Sequence, residues 1–214
     1  NEYTYALFKN IWHQVGGDFS GNWRNIKFEA LDEPFFSHDS ETLAQVIVNI
    51  NKHSNNAMTR NLLLTLAAER YNLPATQKKG RMVIDEWLEG KALNRVGFDY
   101  DNGAGLSRHS RLTAEQIVGI LLDVYKGPFM PEFMASLSLS GLDGTMLERF
   151  SNEELTGKLH VKTGMINHVS SMAGYLYSKD GKRYSFAIIQ NYNDVHRGYG
   201  EEVQETLIRW LYDN

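Results

Sequence analysis

The chain has 214 residues, 42% of them hydrophobic, enough to bury a substantial core as one domain or most of one. Its net charge of −4 gives no basic footprint, so no nucleic-acid partner is expected. It has no cysteine, which excludes disulfides and thiolate metal sites, and apolar runs such as Leu62 to Ala68 are far too short to span a membrane.

Taken in chain order, Tyr3 to Val15 reads as a helix with Leu7, Ile11, Trp12 and Val15 on one side. Ile26 to Leu31 alternates like a strand. Ser40 is a candidate N-cap for a helix running to about Asn51, with Leu43, Val46, Ile47 and Ile50 at helical spacing. A second helix runs from Asn56 to Tyr71 and stops at Asn72 and Pro74, and another covers Thr76 to Leu88 before Gly90. Thr113-Ala114-Glu115-Gln116 forms a capping box for a helix that ends at Gly127-Pro128. A short helix follows over Pro131 to Leu137.

The last third changes period. Lys158–Thr163, Ser171–Tyr177 and Arg183–Gln190 read as strands, with Asp180-Gly181 as a hairpin turn. Tyr199 to Tyr212 closes the chain as an amphipathic helix with Val203, Leu207, Trp210 and Leu211 on its apolar face. Neighbouring strands joined by short turns imply an antiparallel sheet flanked by helices, an α+β fold.

Two words carry chemistry. Lys162-Thr163-Gly164, followed by Met165, sits at the end of the first of these strands. A cation, a hydroxyl and a residue without a side chain on one strand edge suit a ligand with a carboxylate and a reacting carbonyl. Ser54-Asn55-Asn56 matches Ser-x-Asn and falls in the joint between two helices, where side chains can face a cleft. Taken singly, Ser54 reads equally as a helix cap and Lys162 as a solvated strand lysine. Ser20-Gly21-Asn22 matches the same word but lies in a glycine-rich turn. The seven histidines form no His-x-x-x-His pair, so neither a metal site nor a cofactor is expected.

With Lys52 to Asn56, Asp101 to Arg108, Gly141 to Met146 and Lys158 to Tyr175 in this order, the chain resembles the penicillin-binding protein 4 type of D-alanyl-D-alanine carboxypeptidase/endopeptidase. The resemblance runs from about Tyr3 to the C-terminus and implies part of a penicillin-recognising, transpeptidase-like (serine β-lactamase-like) domain. It implies catalytic roles for Ser54, Asn56 and Lys162. It also implies substrate contacts at Thr163, Gly164 and Met165, the last through its backbone N–H as an oxyanion donor. Ser107 and Arg108 become candidates for substrate or loop contacts, and Asp143-Gly144-Thr145 for a turn and helix start. The implied partners are a peptidoglycan peptide and β-lactam antibiotics, and the implied location is periplasmic.

One departure stands out. The family nucleophile lies in Ser-x-x-Lys, and no serine here has a lysine three residues later. Residues 1–214 are therefore expected to be the C-terminal portion of the catalytic domain, inactive alone, with the N-terminal segment of the same protein as a further partner. A β-lactamase-related serine hydrolase and a non-catalytic cell-wall-binding module stand as alternatives.

Overall fold

Hydrophobic alternation over the last third of the chain becomes a four-stranded antiparallel sheet in the order β1-β2-β3-β4. Its strands are β1 (Ser138–Leu139), β2 (Leu159–Ile166), β3 (Val169–Tyr177) and β4 (Arg183–Asn191). A computed structural model describes residues 2–26, 36–91 and 93–214. The expected strand over Ile26–Leu31 lies, beyond Ile26, outside the described residues.

The chain divides into two units, Asn1–Ser40 and Glu41–Asn214. The first holds helix α1 (Glu2–Gln14), where Phe8 stacks on Trp12 and meets Phe19 edge-on. The Tyr5 hydroxyl donates to Gly21 O at 2.7 Å. Leu7, Ile11, Trp12 and Val15, on the expected apolar side of this helix, are all more than a third exposed.

The second unit holds α2 (Leu43–His53), α3 (Asn56–Tyr71), α4 (Gln77–Glu89), α5 (Ala114–Tyr125), α6 (Met130–Ser136), a short 3-10 turn (Gly144–Met146) and α7 (Tyr199–Asp213). The cap of α2 is Thr42, whose hydroxyl accepts from Gln45 N–H, rather than Ser40. The capping box of α5 forms as read, with Thr113 and Gln116 bonded reciprocally. Both long strands extend beyond their expected ends: β2 and β3 meet in a hairpin whose innermost pair is Ile166↔Val169.

The two sheet faces bury different layers. Leu159, Val161, Met172, Leu176 and Phe186 pack with Ile208 and Tyr212 of α7 and with Met146, Phe150 and Leu155. On the opposite face Tyr175 packs with Leu121 of α5 and with Leu137, beside Phe133 and Met134 of α6. This is the α+β, helix-flanked antiparallel sheet expected.

The face that α7 buries differs from expectation. Gly200, Gln204, Ile208 and Tyr212 point inward, while Val203, Leu207 and Trp210 are exposed and only Leu211 is partly buried in the core. Gly200 allows the close approach, since a Cβ there would lie 2.6 Å from Ser170 Cβ. Gln204 then replaces apolar contact with hydrogen bonds, its Nε2 donating to Ser170 Oγ and Gln190 Oε1, both at 2.9 Å. A fully bonded buried amide is tolerated where an unpaired one is not.

Candidate active site

The corner between α2 and α3 is built around one left-handed residue. Ser54 takes φ 52° and ψ 47°, and its N–H closes the end of α2 on Ile50 O. Asn55, not Ser54, caps α3, its side chain accepting from Met58 N–H at 3.1 Å. The helices are thus capped without the Ser54 hydroxyl, which accepts instead from Lys162 Nζ at 3.0 Å.

Lys162 reaches Ser54 from β2. Strand β1 pairs with β2 only at His160 and Val161, so from Lys162 onward the outer edge of β2 has no strand neighbour among the described residues. Such an edge presents unpaired N–H and C=O groups to whatever lies alongside. Lys162 Nζ also donates to Thr163 O at 2.8 Å. Burial pushes the Lys162 pKa below the ordinary lysine value.

The Thr163 hydroxyl points to the other side of the strand and donates to Thr145 Oγ1 at 2.8 Å. Thr145 in turn meets Ser138 Oγ at 3.3 Å through both its hydroxyl and its N–H. The same segment holds the last turn of α2. Lys52 pairs with Asp143 Oδ2, Asp143 Oδ1 accepts Leu139 N–H at 2.8 Å, and Asn51 Nδ2 donates to Ser136 Oγ at 2.7 Å. Partial burial raises the Asp143 pKa, but Lys52 and the Leu139 N–H outweigh it and hold the carboxyl below its usual range. Gly144 has φ +56°, and a Cβ there would fall 2.8 Å from Lys52 O, so this contact needs glycine on two counts. One polar chain therefore runs from the end of α2 through residues 136–145 to Thr163.

The structure joins Lys162 to the Ser54 hydroxyl and to the Thr163 carbonyl, while the Thr163 hydroxyl and the Asn56 amide are bonded to other groups. Asn56 Nδ2 donates to Ala104 O, in the Asp101–Arg108 loop, which leaves Oδ1 as its available acceptor. Arg108 makes a loop contact, its Nη1 donating to Asn167 O at 2.8 Å in the β2–β3 turn, and Ser107 Oγ accepts His109 N–H within its own loop. At Gly164 the tight neighbour is Ser171 on β3, whose Oγ a Cβ would meet at 2.6 Å. The Met165 side chain is exposed.

Sequence reading missed Lys52, Asp143 and Thr145 as site residues. The last two were read only as a turn, and their partners Lys52 and Thr163 lie 91 and 18 residues away. No local pattern signals such pairs.

A hydroxyl held against a desolvated lysine, beside an open strand edge, can pass a proton and bind an extended peptide. Known proteins share this arrangement's framework. Residues 1–213 match the model of the D-Ala-D-Ala carboxypeptidase 3 (S13) family. The D-alanyl-D-alanine carboxypeptidase of Actinomadura sp. (strain R39) is 28% identical over 180 residues, 82% of this chain and 32% of that protein. This chain thus spans about a third of that relative's length. Penicillin-binding protein 4 of Haemophilus influenzae, in complex with a β-lactam, superposes with a TM-score of 0.83 at 22% identity, covering 99% of this chain and 50% of that one. A penicillin G-acylated predatory endopeptidase of Bdellovibrio bacteriovorus, in complex with an immunity protein, gives a TM-score of 0.63 at 18% identity, over 79% of this chain and 45% of that one. The last two establish the fold.

Proposed function

We propose an activity from the premise that this chain belongs to the D-Ala-D-Ala carboxypeptidase 3 (S13) family: it forms one part of a periplasmic serine D,D-peptidase acting on peptidoglycan stem peptides. The single observation that carries this reading is the 3.0 Å contact between Lys162 Nζ and Ser54 Oγ, bridging 108 residues of sequence beside an open strand edge. The substrate is the D-Ala-D-Ala end of a stem peptide or a D-amino-acid cross-link, so the activity is carboxypeptidase or endopeptidase. β-Lactams are the corresponding acylating agents, as penicillin G is for the Bdellovibrio endopeptidase.

The reaction needs a nucleophile that these 214 residues do not contain, since none of their serines begins a Ser-x-x-Lys. In this reading a Ser-x-x-Lys segment of the same protein supplies it, and residues 1–214 form the remainder of the catalytic domain, inactive without that segment. That serine's Oγ attacks the scissile carbonyl carbon, giving a tetrahedral oxyanion. The C–N bond breaks as the departing amine takes a proton, and water later hydrolyses the acyl ester. Ser54 relays the proton to the amine, and Lys162, destabilised as an ammonium by burial, shares it. Thr163 and the Lys162 charge hold the substrate carboxylate, and Asn56 Oδ1 accepts from a substrate N–H or the segment's lysine. The Met165 N–H is one oxyanion donor, on a strand edge that Gly164 keeps clear of side chain.

Labelling with a fluorescent β-lactam, in a preparation that includes the Ser-x-x-Lys segment, tests this. Lys162→Met should abolish acylation while leaving the circular dichroism spectrum unchanged. Normal labelling of that variant overturns the assignment.

A further inference from the structure

Two turns at the far end of the sheet bring together ligand groups that the peptidase reading does not use. His168 lies in the turn between β2 and β3, and Asp194 and His196 in the segment between β4 and α7. One potential ligand atom from each of the three lies within 4.8 Å of the others. His168 and Asp194 both adopt left-handed backbone, at φ +64° and +59°, conformations that non-glycine residues take uncommonly. The bends turn the side chains of the two segments toward each other. The imidazoles meet edge-on with centroids 5.4 Å apart.

Backbone N–H groups fix the orientation of both rings. His196 Nδ1 accepts from His168 N–H at 3.0 Å, and His168 Nδ1 accepts from Asp194 N–H at 3.2 Å. A neutral imidazole that accepts at Nδ1 carries its proton on Nε2. That is the tautomer a metal ion bound at Nδ1 requires. An ion bound at Nδ1 would take the place of these two backbone N–H donors. The Asp194 carboxylate is half exposed and pairs with Arg197 through Oδ1, in a surface pair at 3.2 Å. His168 is exposed, so a further coordination position faces solvent.

We propose that His168, Asp194 and His196 bind a divalent cation of the zinc class through two imidazole nitrogens and one carboxylate oxygen. Nitrogen and carboxylate donors in this number suit Zn²⁺ or Co²⁺ and leave a fourth position for water. The ion staples the β2–β3 turn to the segment leading into α7. That turn begins two residues after Met165 and is the one Arg108 grips through Asn167 O. The site escaped the sequence reading because its ligands come from two turns 26 residues apart, outside any helical histidine spacing.

Untagged protein titrated with Co²⁺ by absorption spectroscopy, and with Zn²⁺ by calorimetry, tests the proposal. One ion per chain and a metal-dependent rise in melting temperature are expected. His196→Ala should weaken binding by at least the 10–100-fold typical of disturbing a ligand's support, and should remove the melting shift. Asp194→Asn, which leaves the turn its own shape, should weaken binding in the same direction. Absence of binding to the parent protein, or equal binding by parent and both variants, overturns it.

Discussion

The two walls of the candidate cleft are held by different forces. The strand wall, β2, is fixed to β3 by an eight-position ladder from Leu159↔Leu176 to Ile166↔Val169, over a core containing Val161, Met172 and Leu176. The helical wall is one left-handed corner at Ser54, positioned by Lys52–Asp143, Asn51–Ser136 and the Gly144 contact. A ladder spreads its energy over many backbone bonds, so no one side chain sets its position. A corner held by a few polar pairs depends on each of them. Substitutions on the strand wall should therefore act through chemistry or global stability, and those behind the corner through geometry.

The largest expected effect is at Lys162, where chemistry and stability oppose each other. Burial lowers its pKa, so the folded state binds this proton less readily than the unfolded state does. The resulting penalty is fully present below the folded pKa and is relieved as pH rises toward the unfolded value of about 10.4. Lys162→Met removes the penalty along with the proton relay. Acylation should fall by about 10²–10⁴, while the melting temperature at neutral pH stays equal or rises. A lower melting temperature would show that Lys162 joins the walls rather than serving the reaction.

Asp143 sharpens the contrast from the other side. Asp143→Asn breaks the pair with Lys52 and frees the end of α2 to move relative to Thr163. A displacement of about 1 Å can cost roughly 10² in rate, so the second-order acylation constant should fall by about that factor. Stability should change by only about 0–1 kcal/mol, the usual worth of a partly exposed ion pair. Because the Asp143 pKa is depressed, its stabilising share is present above the unfolded value of about 3.9 and is lost as pH falls through the lower folded value. With the Ser-x-x-Lys segment present, the parent protein should therefore show an acid loss of acylation below the ordinary carboxylate range, absent from Asp143→Asn. Parent-like acylation by the variant would detach the corner from this pair.

Gln204 should show the reverse pattern. It is fully buried, and its amide bonds Ser170, Gln190 and Arg149. Gln204→Ala leaves those partners short, at about 1–3 kcal/mol. Thermal unfolding should register the loss, and the acylation rate of the remaining folded protein should not change.

Gln204 also marks where sequence reading stops. Period and caps place the helices and strands because they are local: Thr113 and Gln116 bond across three residues, and the start of β2 alternates buried and half-buried residues. The inward face of α7 was misread because hydrophobicity favours Val203, Leu207 and Trp210. What seats the helix is a missing side chain at Gly200 and a bonded amide at Gln204. β1, only two residues long, carries no period at all. At the site, Ser54 and Lys162 are legible as words, and their side chains lie 3.0 Å apart. Their supports, Lys52 with Asp143 and Thr145 with Thr163, are pairings across sequence distance that only the fold creates.

Thr145→Val is the smallest of these perturbations and separates support from catalysis most finely. The change keeps the β-branched shape and removes one hydroxyl, so the 3-10 turn and the core around Met146 should persist. What disappears is the acceptor for the Thr163 hydroxyl at 2.8 Å and the hydroxyl bond to Ser138, while the Thr145 N–H bond to Ser138 stays. The Thr163 hydroxyl then rotates freely before substrate arrives, and ordering it draws on binding energy. One neutral hydrogen bond of this kind is worth about 0.5–1.5 kcal/mol. That corresponds to a roughly two- to twelvefold rise in the concentration of β-lactam or peptide needed for half-maximal acylation, with the maximal rate nearly unchanged. A loss confined to the maximal rate would instead place Thr145 among the groups that meet the transition state, and would extend the catalytic apparatus behind the strand.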